Sequence, residues 1–234
     1  EIGLNHRGSE TDALVMLQDL LKTGVDAITF QIRESSYYDG TKPHRNKLSE
    51  EFYKKAIELA KSYNKKIGFA IADINLVDYL DKSGADFWKT LSWDILNYDL
   101  QYQLQKTEKP VFISTGMSGM DEIVTASRKF KNIRFIHTQL TYDVHDVNLS
   151  AIRTIRGAAA TSVDVAFGLH CSNKNILYVC LGYEPTDIFF YVKGNSKETY
   201  PDDKHAILLT EVDKIVQEIR LLQTAIGKGK KEKM

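Results

Sequence analysis

The sequence lacks an excess of charge of either sign: 31 Lys and Arg offset 31 Asp and Glu. Nucleic-acid-binding domains carry a basic face, so this balance gives no support for a nucleic-acid partner. Also missing is any apolar run near the roughly 20 residues of a membrane span, and no secretory signal pattern opens the chain. The expectation is a cytoplasmic protein with no membrane partner. Cysteine is scarce. Cys171 and Cys180 alone make no disulfide framework, and two reduced thiols suit the same compartment. There is no initiator Met, and the sequence starts in strand-like Glu1-Ile2-Gly3-Leu4-Asn5. A few upstream residues are expected to precede it.

What is present organises itself around residues 110–121, Pro-Val-Phe-Ile-Ser-Thr-Gly-Met-Ser-Gly-Met-Asp. Val111, Phe112 and Ile113 read as a strand buried on both faces. Ser114, Thr115 and Gly116 follow, then a helical pattern from Asp121. A strand that ends in small hydroxyl residues and turns into a helix leaves backbone N–H groups free for a phosphate or carboxylate. The same residues also suit an ordinary turn.

The pattern repeats along the chain. Strands are expected at residues 1–5, 27–31, 67–71, 87–91, 111–114, 133–138, 163–169 and 187–192. Helices are expected over 9–23, 49–63, 76–82, 94–107, 119–130, 149–156, 173–182 and, from the spacing of Leu208, Val212, Ile215, Val216, Ile219 and Leu222, in the last stretch. Residues 33–47 read as a long polar loop. Eight strands alternating with eight helices, with no linker, predict an α/β fold: a single-domain (β/α)8 TIM barrel over residues 1–227 with a solvated basic tail over 228–234. An open doubly wound sheet is the rival and requires a reversal of strand order.

In a barrel the chemistry sits at the carboxyl ends of the strands. Those ends carry Glu1, Gln31, Arg33, Asp73, Lys89, Ser92, Asp94, Ser114, Thr115, His137, Tyr142, His170 and Tyr191. Lys89 stands out, because a lysine in an apolar strand is rarely buried without an anion. It suits an anionic substrate or a Schiff base, and Glu1 either acts in the site or neutralises it. Glu1 and Asp94 supply carboxylates for acid–base work. His137 reads equally as a ligand contact or a hydrogen-bonded core histidine. His170 and Cys171 look like a metal pair, but adjacent strand residues point to opposite faces. His145 and His205 are expected at the surface, and Trp88 and Trp93 in packing.

The segments Glu1-Ile2-Gly3-Leu4-Asn5-His6-Arg7-Gly8, Phe30-Gln31, Lys89-Thr90-Leu91-Ser92, Lys109 to Met117, Asp146-Val147-Asn148-Leu149, Pro201-Asp202 and Gly227-Lys228-Gly229 together resemble the sialic acid synthases, the N-acetylneuraminate synthase family, in order and over nearly the whole chain. The resemblance implies a (β/α)8 barrel. It also implies a metal-assisted condensation of phosphoenolpyruvate with an N-acetylated sugar to a 2-keto sugar acid, in surface-glycan biosynthesis. It casts Lys89, Ser92 and Ser114 as phosphoenolpyruvate contacts, Gln31, Asp94, Tyr142 and Asp202 as sugar contacts, and Glu1 as an active-site glutamate. Thr115 and His137 join the expected substrate-binding set, with Glu1, Lys89 and Asp94 as the catalytic one. The implied cofactor is a divalent metal, Mn2+ or Mg2+, with His170 as the candidate ligand. The expected partners are the sugar, phosphoenolpyruvate and a second copy of the chain.

The departures fall on one half of that reaction. Thr29 stands where the family has Lys, and Ala70-Ile71-Ala72-Asp73 where it has Ser-Thr-Pro-Phe. Tyr191 replaces the second metal histidine and Leu140 an Asn. The family's C-terminal antifreeze-like domain is not expected. Three readings follow: a synthase of this type acting on a related sugar, a remodelled barrel that binds or processes another anionic sugar metabolite, and a structural partner of an active synthase.

Overall fold

A computed structural model of the chain describes residues 1–38, 47–158, 163–195, 197, 199–227 and 229. Seven parallel strands form one sheet in chain order: β1 (Ala27–Ile32), β2 (Lys66–Ile71), β3 (Phe87–Thr90), β4 (Val111–Ser114), β5 (Ile133–His137), β6 (Val165–Leu169) and β7 (Ile188–Phe190). The order never reverses, which removes the doubly wound alternative. Helix α1 (Glu10–Leu21) precedes β1, and α2 (Ser35–Tyr38) and α3 (Glu50–Ser62) separate β1 from β2. Helices α4 (Val77–Ser83), α5 (Tyr98–Gln105), α6 (Met120–Lys129), α7 (Ala151–Ala158) and α8 (Ile176–Val179) follow β2 to β6 in turn. A small parallel pair, β8 (Val192–Lys193) with β9 (Ile207–Leu208), leads into α9 (Leu209–Ile226).

Local chemistry explains the boundaries. Ser9 accepts a hydrogen bond from Asp12 N to start α1, Ser49 from Phe52 N to start α3, and Asn97 from Leu100 N to start α5. Gly84 ends α4 at φ 100°, a left-handed turn that glycine adopts without strain. β2 to β6 are near-continuous apolar runs because both faces are covered. One face packs against the helices through Phe30, Phe69, Trp88, Phe135 and Phe167, all buried. The other carries a smaller cluster of Phe87, Phe112, Ile136 and Ala166, joined by Phe189. Gly68 makes room for that inner cluster, since a Cβ there would lie 2.5 Å from the Phe87 ring.

Several expected boundaries move. The first strand is reduced to a bridge between Gly3 and Phe30, and residues 4–8 turn. Ile2 N donates to Thr29 O at 2.9 Å and Gln31 N to Gly3 O at 3.4 Å, while on the opposite side Glu1 N donates to Phe190 O at 2.6 Å and Val192 N to Glu1 O at 2.8 Å. Residues 1–3 therefore hydrogen-bond to the first strand of the sheet on one side and to its last on the other. The expected strand over 187–192 breaks at Tyr191 into β7 and β8, and the helix expected over 173–182 is one turn, α8, followed by a 3-10 turn at Cys180–Tyr183. Residues 33–38 of the expected loop contain α2; residues 39–46 lie outside the described residues, as does the basic tail apart from Gly229. Among the described residues no helix is long and apolar enough to cross a membrane.

Candidate functional site

Side chains alternate across a strand, so the residue two places beyond each inner apolar side chain shares its face. Phe87 leads to Lys89, Phe112 to Ser114, Ile136 to Thr138, Ala166 through Gly168 to His170, and Phe189 to Tyr191. All of these second residues line one cavity of about 320 Å³ at the carboxyl ends of the strands, together with Glu1, Gln31, Ser92, Asp202 and His205. A larger cavity, about 620 Å³, opens at the amino ends. Its arginines are already engaged: Arg134 pairs with Asp187 at 3.2 Å and Arg220 with Asp26 at 2.8 Å. The chemistry is assigned to the smaller one, because the strand-end side chains converge there.

Lys89 is buried, and its ammonium donates to Glu1 Oε1 at 2.6 Å, with side-chain exposures of 8 % and 4 %. Burial pushes the Glu1 carboxyl up, but the charge and hydrogen bond of Lys89 pull against it and the carboxyl lies below its ordinary range. Ser92 and Ser114 share a hydrogen bond of 2.9 Å. Gly116 backs them, since a Cβ there would stand 2.7 Å from Ser92 Oγ.

The opposite wall is built by the loop before β9. Asn5 Nδ2 donates to Val192 O at 2.8 Å and Asn5 Oδ1 accepts from Asp202 N at 3.0 Å; Lys193 Nζ donates to Asp203 O at 2.7 Å. These bonds seat Asp202 and His205 on the cavity. Burial, reinforced by Glu1, raises the Asp202 carboxyl to about 7. Burial, reinforced by Lys89, lowers His170 to about 4, and burial with His170 beside it lowers His205 to about 3. The rim is aromatic. Arg33, gripped by Glu34 at 2.7 Å, lies over the Trp93 ring at 4.8 Å, and Lys204 lies over Tyr142 at 4.7 Å.

Seven residues of the expected catalytic and substrate-binding sets come together here: Glu1, Lys89, Gln31, Ser92, Ser114, Tyr142 and Asp202, with His170 beside them. Three do not line the cavity. Thr115 has the opposite parity to Ser114 and donates to Ile136 O at 3.0 Å. His137 likewise turns away, with Nε2 3.0 Å from Val147 O, as a hydrogen-bonded core histidine does. Asp94 sits behind the wall, where its Oδ1 accepts from Asn97 Nδ2 at 3.0 Å. Two further expectations are corrected. His205 is buried, not exposed, because its loop folds under the cavity, and Trp93 is 49 % exposed on the rim, not packed. Thr90 and Thr138, which line the cavity, were not among the expected residues.

The residues present do not fit the expected divalent metal. Among the described residues no three His, Cys, Asp or Glu side chains form a metal-holding group. His170 and His205 stack at 4.3 Å with their planes 24° apart, so their lone pairs lie in nearly parallel planes and do not converge on one ion. Glu1 is already committed to Lys89.

The NeuB family model matches residues 17–231. The chain belongs to the NeuB family. It is 31 % identical to the uncharacterized protein MJ1065 of Methanocaldococcus jannaschii, over 99 % of this chain and 72 % of that one. It is 26 % identical to the N,N'-diacetyllegionaminic acid synthase of Campylobacter jejuni, over 99 % of this chain and 78 % of that protein. Among solved structures, an N-acetylneuraminic acid synthetase from Leptospira borgpetersenii, in complex with citrate, superposes with a TM-score of 0.90 at 22 % identity, covering 100 % of this chain and 85 % of the other. At that identity the likeness concerns the fold: a curled parallel sheet ringed by helices.

Proposed function

We propose that this NeuB-family chain is a sialate-synthase-type transferase, joining phosphoenolpyruvate to a neutral N-acetylated sugar to give a 2-keto sugar acid. The observation that carries the reading is the buried Lys89, aimed with Ser92 and Ser114 at the carboxyl-end cavity. We further take residues 1–3 as the eighth stave of a (β/α)8 barrel, bonded to the strands on either side.

Lys89, Ser92 and Ser114 present hydrogen-bond donors suited to the carboxylate and phosphate of phosphoenolpyruvate. Gln31, Asp202 and Tyr142 face them across the cavity and suit the hydroxyls of an open-chain sugar. The enol carbon C3 then attacks the aldehyde carbon, the new alkoxide takes up a proton, water adds at C2, and phosphate leaves as the C2 carbonyl forms. Asp202, raised to about 7, carries a proton that can be delivered near neutral pH. Holding the two carbons in register would remove about 7–11 kcal/mol of a bimolecular barrier.

A specific observation favours a second reading. Lys89 is spent on Glu1 at 2.6 Å, an arrangement that also suits a barrel that binds a sugar acid without condensing it. The test is incubation of the chain with phosphoenolpyruvate and a panel of N-acetylhexosamines, following inorganic phosphate and the product mass. Sugar-dependent phosphate release with a mass gain equal to pyruvate is the expected result. Phosphoenolpyruvate binding with no release across the panel overturns the condensing reading and leaves the second.

A further inference from the structure

His205 is a buried group of this cavity that the condensation does not use. It is 6 % exposed and lines the cavity, and neither ring nitrogen has a hydrogen-bond partner. Its faces are satisfied: it stacks on His170 at 4.3 Å and meets the Tyr191 ring edge-on at 5.0 Å and 81°. Its polar edge is not. Asp202 Oδ1 is 3.9 Å from Nε2, beyond hydrogen-bond range. Asp202 Oδ2 and Thr138 Oγ1, from two other residues lining the same cavity, are also buried without partners. A polar atom left so costs about 1–3 kcal/mol, and native proteins rarely gather several around one space. Such a gathering marks where the oxygens of a ligand complete the network.

Charge decides what kind of ligand. Arg33 is held by Glu34 and Lys193 by Asp203, while the Lys89 ammonium points to Glu1. The wall around residues 202–205 therefore offers imidazole, hydroxyl and carboxyl groups to the cavity, while its lysine, Lys204, is exposed and lies over the Tyr142 ring at the rim. An anion placed there would confront Asp202 and Glu1. A neutral polyol, whose hydroxyls both donate and accept, suits every one of these atoms.

We propose that His205 is a ligand-binding residue that hydrogen-bonds a hydroxyl or carbonyl oxygen of a neutral N-acetylated sugar, and that it sets acceptor selectivity from the wall facing Lys89 and Ser114. The proposal rests on the reading of this cavity as one that takes a neutral sugar beside phosphoenolpyruvate. No family motif marks His205; its role follows from its unpaired ring edge and its place on the wall.

The test titrates the full chain with N-acetylmannosamine, N-acetylglucosamine and, separately, phosphoenolpyruvate, by calorimetry and by the 15N imidazole resonances of the histidines. His205→Phe keeps a ring for His170 and Tyr191 but removes both nitrogens; His205→Gln restores a donor and an acceptor. The expected result is a shift of the His205 imidazole signals on adding an N-acetylhexosamine. His205→Phe should weaken sugar binding about tenfold, the size of one lost hydrogen bond. Phosphoenolpyruvate affinity should change less than about twofold, and His205→Gln should recover most of the loss. Unchanged sugar affinity in a folded His205→Phe overturns the proposal and leaves the condensing reading standing. If His205→Phe does not fold, imidazole signals that stay still while sugar binds to the wild-type chain have the same force. A wild-type chain that binds neither probe overturns both.

Discussion

Replacing Lys89 with methionine tests the buried ion pair at the centre of the site. At 2.6 Å and an effective dielectric near 20, the attraction between Lys89 and Glu1 is about 6 kcal/mol, much of it offset by the loss of hydration. In Lys89→Met the Glu1 carboxylate is left among groups that cannot solvate it, and its cheapest escape is to take a proton. From an ordinary value of 4.5, that costs about 3.4 kcal/mol at pH 7, at about 1.36 kcal/mol for each pH unit. The same step costs about 1.4 kcal/mol at pH 5.5. Urea unfolding followed by tryptophan fluorescence should therefore show a loss near 3 kcal/mol at pH 7 that shrinks by about 2 kcal/mol at pH 5.5. Adding Glu1→Gln to Lys89→Met should abolish that pH dependence while leaving phosphoenolpyruvate binding lost. An equal loss at both pH values, or one below about 1 kcal/mol at pH 7, would mean that water reaches the carboxylate, and the argument for a sealed pair would fall.

Further outcomes follow from the same geometry. Gly116→Ala places a methyl 2.7 Å from Ser92 Oγ, so it should cost about 1–3 kcal/mol and weaken phosphoenolpyruvate binding more than sugar binding, read by calorimetry on the two ligands. Asn5→Ala removes two hydrogen bonds that seat the loop at 202, and should lower stability by about 1–3 kcal/mol and raise the apparent sugar dissociation constant; a change confined to the melting point would count against a positioning role. Folding holds His170 and His205 neutral, at about 4 and about 3 against an ordinary 6.5, so their stabilisation is intact above pH 6.5 and drains away as the pH falls towards 4. Asp202 runs the other way: raised from 3.8 to about 7, it favours the folded state below about 4 and loses that contribution as the pH climbs to 7. Asp202→Asn should therefore be more stable than wild type at pH 8 and show a steeper acid-side loss in denaturation curves taken between pH 4 and 6.5.

Much of this architecture can be read from residue order alone, because parallel strands buried on both faces announce themselves as short apolar runs. Alternation then places Lys89, Ser114 and Tyr191 on one face, and the same rule, applied strictly, would have turned Thr115 and His137 away from it. What escaped was non-local. Residues 1–5 look like a strand, but only Ile2 and Gly3 bond to β1 before the chain turns, so the strand is a single bridge. Residues 202–205, Asp-Asp-Lys-His, look like a surface loop. Their burial comes from Asn5 and Lys193, distant in sequence or unremarkable in type. The Ile207–Leu208 strand is two residues long, too short for any period to register. The stacked histidines could be found only once that loop was folded back over β6.

The bonds that join residues 1–3 to residues 190 and 192 also bear on how the chain reaches this shape. The backbone nitrogen of Glu1 waits for a carbonyl 189 residues downstream. During synthesis, then, residues 1–3 emerge long before their mate, and until residue 190 has emerged they are bonded on the β1 side alone. Pairings closer in sequence, such as β1 with β2, can form early, but joining residues 1–3 to residues 190 and 192 is a late, long-range event. Mutations in this seam should leave early folding phases alone and accelerate unfolding.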